Sequence, residues 1–139
     1  MTKNDLKNYR ALVREARQLR SLLAELEAAK YSVPGGDFSG APREASAPGS
    51  AIERRVIRYQ DAIELYREKI AETTALVIAI EEALSSLDSP LERLVLRLRY
   101  IEGRGWSNVC AELASLGHCE RQVYYIHGAA LKKIKEFKI

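Results

Sequence analysis

An all-α protein is predicted: a long helical hairpin or coiled coil followed by a three-helix helix-turn-helix module. Three observations carry this. Residues 51–88 repeat apolar side chains at alternating four- and three-residue steps over five heptads. A shorter stripe of the same kind runs through residues 5–30. After Pro90, glycines at 103, 105 and 117 cut the chain into three short amphipathic pieces.

In the first helix, residues 1–30, Tyr9, Leu12, Ala16, Leu19, Leu23 and Leu26 form one stripe. The texture then changes. Residues 31–50, YSVPGGDFSGAPREASAPGS, hold three of the 4 prolines and half of the 8 glycines. Such a stretch buries too little apolar surface to offset its ordering entropy, and it predicts a flexible linker.

The second helix opens on Ser50-Ala51-Ile52-Glu53, a capping box. Its stripe runs Ile52, Val56, Tyr59, Ile63, Tyr66, Ile70, Thr73, Val77, Ile80, Leu84, Leu87. A helix of that length reaches about 50 Å, and another helix must cover the stripe. β-Branched residues dominate positions 56, 63, 70, 77 and 84, as in two-stranded coiled coils. Ile52, Val56, Tyr59, Ile63, Tyr66, Ile70, Val77 and Ile80 are therefore expected to form a homodimer seam. The alternative is a monomer in which the first helix and the C-terminal unit cover the stripe.

Residues 89–139 open on Ser89-Pro90-Leu91-Glu92, with Ser89 as cap, Pro90 in the first helical position and Glu92 closing a box. Leu91, Leu94, Leu98 and Ile101 line one face. Trp106, Val109, Cys110 and Leu113 point inward from the next helix, and Val123, Ile126, Ala130, Ile134 and Phe137 from the third. With Val123 and Ile126 pinned inward, Glu120, Arg121, Gln122, Tyr124, Tyr125 and Gly128 project from the start of the third helix. In helix-turn-helix modules that end enters the DNA major groove. Arg121 suits guanine and Gln122 adenine. Tyr124 and Tyr125 suit phosphates or thymine methyls. Glu120 either accepts from cytosine or favours the helix N-terminus. Lys132, with Lys133, Lys135 and Lys138, either meets phosphates or complements the helix C-terminus.

Charge agrees with this reading. The net charge is +3, yet residues 90–139 carry nine Lys/Arg against five Asp/Glu, while residues 1–89 carry thirteen against fourteen. A basic C-terminal third is the footprint of a phosphate-binding face.

The run SPLERLVLRLRYIEGRGWSNVCAELASLGHCERQVYYIHGAALKKI resembles the fourth region of sigma-70-type factors in its LRLRYIEG helix, in the aromatic residue opening the next helix, and in its close. The chain from about residue 50 onward also resembles phage-encoded regulators of the RinA and ArpU type, through Trp106 and the VYYIHGAAL helix. That resemblance implies a DNA-binding activator of late phage or prophage genes, acting beside RNA polymerase or as a sigma-like adaptor. Two features depart from the sigma pattern. Val109 and Val123 lie fourteen residues apart, and Cys119 stands where serine or threonine usually caps.

Other chemistry is not expected. Cys110, His118, Cys119 and His127 do not match a zinc spacing, and no catalytic set or nucleotide loop is evident. Trp106 is expected to anchor the core, and His127 to be partly buried and hydrogen-bonded. No cofactor, no enzymatic activity, no membrane association and a cytoplasmic location are expected, with duplex DNA as the partner. A packaging adaptor like a small terminase subunit, and a coiled-coil interaction protein, are the alternatives.

Overall fold

In the computed structural model, which describes residues 1–31 and 51–138, five helices and no strands are found. Helix α1 spans Lys3–Tyr31 and α2 spans Ala51–Ser85. Helix α3 spans Pro90–Leu96 and continues as a π-helical segment, Arg97–Ile101. Helices α4 and α5 span Trp106–Ala114 and Glu120–Lys135. The expected linker, apart from Tyr31, and the Ser50 cap lie outside the described residues. Among those residues no helix is long and apolar enough to cross a membrane.

The chain divides into two compact units, and the division falls inside both long helices. One unit comprises residues 15–72, the outer parts of α1 and α2. There Arg67 donates to Glu27 at 3.0 Å and Lys30 to Gln60 at 2.5 Å, so the two helices run antiparallel. Ala16 and Ile63 are buried in this unit. Ile52 and Val56, near the start of α2, are exposed, while Tyr59, Tyr66 and Ile70 are half-buried.

The other unit comprises residues 1–14 and 73–139. Thr2 and Asp5 open α1 with a reciprocal box: the Thr2 amide donates to Asp5 at 2.7 Å, and the Asp5 amide returns to the Thr2 hydroxyl at 3.4 Å. The bonds from Thr2 hold the Asp5 carboxyl below its ordinary pKa. Leu6 of α1 then meets Ile80, Ala83 and Leu84 of α2, Leu96 and Tyr100 of α3 and its π segment, and Ala130 and Ile134 of α5 in one core. A polar lock crosses the same helices. The Tyr9 hydroxyl donates to Glu81 at 2.7 Å, and Arg97 donates to the other carboxylate oxygen at 3.0 Å. Burial, and then Glu81, push the Tyr9 phenol up to about 12.

Two expectations are corrected here. Ile63 and Ile80, assigned to the dimer seam, are 2% and 1% exposed within a single chain. They are already covered and present nothing to a second copy; Val77 is half-buried. Ile80 is covered by Leu6 of α1 together with Leu96, Tyr100, Ala130 and Ile134 from the C-terminal helices. The second correction concerns Glu92. Ser89 does accept from the Glu92 amide, at 3.4 Å, with Pro90 at the helix start. The Glu92 carboxylate, however, turns to Lys133 of α5, which donates to it at 2.8 and 3.0 Å. A cation on a packed neighbour outcompetes a neutral amide for a buried carboxylate.

The π segment decides how α3 serves two cores. The Glu102 amide bonds the Arg97 carbonyl five residues back, at 2.9 Å, which inserts one residue into the helical repeat. Leu96 and Tyr100 therefore face the core shared with α1 and α2. Val95 and Leu98 face a second core built with Val109, Leu113 and Val123. The predicted single stripe of Leu91, Leu94, Leu98 and Ile101 is only partly sunk: Leu98 is buried and the other three are half-buried.

Candidate nucleic-acid interface

The turn between α4 and α5 sets which face of α5 looks outward. Gly117 adopts φ 88, its amide bonds the Ala114 carbonyl at 3.0 Å, and the His118 amide bonds the Leu113 carbonyl at 3.0 Å. This pair of bonds is a Schellman motif, and its left-handed position favours glycine. Val109, Leu113 and Val123 are each fully buried, clamping α4 to α5.

Helix α5 starts at Glu120, the residue expected from sequence, although Cys119 is a poor cap. Gln122, the third residue of the helix, closes a capping box with Cys119. Its side-chain oxygen accepts from the Cys119 amide at 3.0 Å. This fixes the frame of the helix and engages Gln122 in the cap, which weakens its candidacy as an adenine reader.

Along α5 the buried side chains are Val123, His127, Ala130 and Ile134, at steps of four, three and four. The exposed residues Arg121, Tyr125, Gly128 and Lys132 follow the same steps. At 100° per residue the two rows lie on opposite sides of the helix. Tyr125 is 78% exposed. Glu120, Gln122 and Tyr124 are exposed on the flanks. All seven predicted contact residues are thus open to solvent, and four of them form one continuous row.

Behind the row lies an aromatic chain that sequence reasoning anticipated only in part. Trp106, the first residue of α4, packs its ring against Tyr124 at 5.0 Å and edge-on to His127 at 4.7 Å. Arg99 lies over the Trp106 ring at 4.9 Å. His127 is 8% exposed, and its Nε2 is hydrogen-bonded to the Tyr100 hydroxyl at 2.8 Å. Burial, aided by the charges of Lys3 and Arg99, pushes the His127 pKa down to about 4. Burial likewise raises the Tyr100 phenol. A neutral imidazole is therefore part of the support for α5.

Around the module, Arg104 bridges Glu102 at 2.7 Å and Glu112 at 2.8 Å, joining the end of the π segment to α4. Burial raises the Cys110 thiol, and Cys119 is exposed. Among the described residues no cluster of three metal-ligating side chains is found.

Sequence reasoning missed one feature. Lys3, Lys7 and Arg10 of α1 meet Arg99 and Trp106 around a cleft. Its only sequence signal is the i, i+4, i+7 spacing of the three α1 cations, which places them on one helix face. No protein-family model, curated protein or solved structure matches the chain.

Proposed function

We propose that this chain is a sequence-specific regulator of transcription that reads duplex DNA with the outer row of α5. The observation that carries this reading is the opposition of the two rows on that helix. One is sunk in the core from Val123 to Ile134, and the other, from Arg121 to Lys132, is held out by it. A short helix presented in this way after a tight turn fits a major groove. Arg121 reads guanine, Tyr125 meets a phosphate or a thymine methyl, and Gly128 lets the DNA approach. Lys132 adds backbone charge. The resemblance of residues 89–134 to sigma region 4, and of the chain to RinA- and ArpU-type regulators, supports activation of phage or prophage genes beside RNA polymerase.

In this reading two copies pair through the start of α2, where Ile52 and Val56 are exposed, and place two reading helices on two half-sites. Tethering the second contact raises avidity far beyond that of one small module.

The test is selection of bound duplexes from a random pool, with mass measurement in solution. A palindromic consensus bound by a dimer is expected. No enrichment at low salt would remove the reading, and a ring of many copies would point instead to a packaging adaptor.

A further inference from the structure

The cleft beside Trp106 has a chemistry of its own. It is an open cleft of about 320 Å³, lined by Lys3, Lys7 and Arg10 from α1, with Arg99, Tyr100, Gly103 and Trp106 from the other side. All seven residues belong to one compact unit. Gly103 has φ 70, and a Cβ there would collide with the Arg10 guanidinium, so the missing side chain is what lets the cation lie across the backbone. The carboxylates in ion pairs among the described residues, Glu27, Glu81, Glu92, Glu102 and Glu112, serve other cations. The nearby Asp5 accepts from Thr2. Arg99 is steered by the Arg104 carbonyl at 3.0 Å and by the Trp106 ring, not by an acid. Four cations thus converge on a space with no counter-ion among the described carboxylates. Such a convergence of cations favours an anion that enters.

We propose that this cleft is a phosphate-binding site, and that the phosphates it holds belong to the backbone of the duplex read by α5. This rests on the DNA-binding reading above. Two features favour a strand over a small anion. Lys3, Lys7 and Arg10 span seven residue steps along one helix face, about 10 Å of rise, which matches about three steps of a DNA strand. The cleft is also continuous with the reading helix, because Trp106 lines it and packs on Tyr124 at 5.0 Å. The amino-terminal helix is thereby a second DNA-contacting element, reading charge and no sequence.

The test compares the full chain with Lys3→Gln/Lys7→Gln/Arg10→Gln and with Lys7→Gln alone, circular dichroism confirming that each retains its helices. Affinity for the selected duplex is measured against salt. The triple variant is expected to flatten the slope of log affinity against log salt by about 2 to 3 and the single variant by about 1, with base preference unchanged. Arg121→Ala is expected to do the reverse. In a second arm, free protein is titrated with inorganic tripolyphosphate while Trp106, the single tryptophan, reports by fluorescence. A response lost in the triple variant is expected. A wild-type slope in the folded triple variant would overturn the proposal. Failure of the wild-type chain to bind any duplex would instead remove the DNA reading. A surviving tripolyphosphate response would then assign the cleft to a free phosphate compound and overturn the backbone as its source.

Discussion

The Tyr100 hydroxyl lies 2.8 Å from Nε2 of His127, with the two rings stacked at 5.8 Å, and this contact joins the π segment to the underside of α5. Burial of His127 at this contact, aided by the charges of Lys3 and Arg99, makes the module sensitive to pH. The folded-state pKa of His127 is about 4, against 6.5 for the free side chain. Between those values the unfolded chain binds a proton that the folded chain does not. Stability is therefore complete above about pH 6.5 and falls as pH drops toward 4, by up to about 3 kcal/mol. Urea midpoints taken across this window are expected to drop more for the wild-type chain than for His127→Gln. Equal losses in both would show that the imidazole is not the group responsible.

Removing Lys133 strands an acid. The Glu92 side chain is only 9% exposed and is bonded through both oxygens to the Lys133 ammonium. Breaking such a pair from one side is worse than replacing it whole. Lys133→Met is expected to lower the urea midpoint with no change in slope, and Glu92→Gln in the same background to recover part of the loss. A double-mutant cycle with no coupling would refute the arrangement.

Two glycines respond oppositely to alanine. Gly117 sits at φ 88, where a side chain is strained, so Gly117→Ala is expected to cost about 1 to 2 kcal/mol. Gly128 lies inside α5 with open space around its would-be Cβ, so Gly128→Ala should stabilise by about 0.5 to 1 kcal/mol. Thermal melts give both signs. The same Gly128 variant is expected to bind duplex DNA more weakly, since its methyl group stands in the outer row. Unchanged affinity would mean that DNA does not come close at this point.

Base reading and charge separate at two positions on that row. Arg121→Ala is expected to cost about 1 to 3 kcal/mol at the preferred site and to broaden the selected consensus. Lys132→Gln should weaken all duplexes alike. If competition assays show Arg121→Ala retaining full discrimination, the frame of α5 on the groove is wrong.

Much of this arrangement could be read from local signals. The start of α5 at Glu120, the break at Gly117 and the inward set of Val109, Leu113 and Val123 all follow from helical spacing and turn chemistry, which act over a few residues. The seven outward residues of α5 were legible for the same reason. What covered Ile63 and Ile80 was not, because an apolar stripe demands a partner without naming it. The turn of Glu92 toward Lys133, 41 residues away, and the two-faced packing of α3 also left no local trace.

Local sequence was enough for the helices, the break at Gly117 and the outward row of α5, since each depends on neighbours within a turn or two. Only the tertiary structure decided that α1 lends Lys3, Lys7 and Arg10 to a cleft beside Trp106, and that His127 is held neutral against Tyr100. Those outcomes depend on which distant surfaces exclude water together. Burial and converging charge arise from the whole packed unit, and no single stretch of chain encodes them.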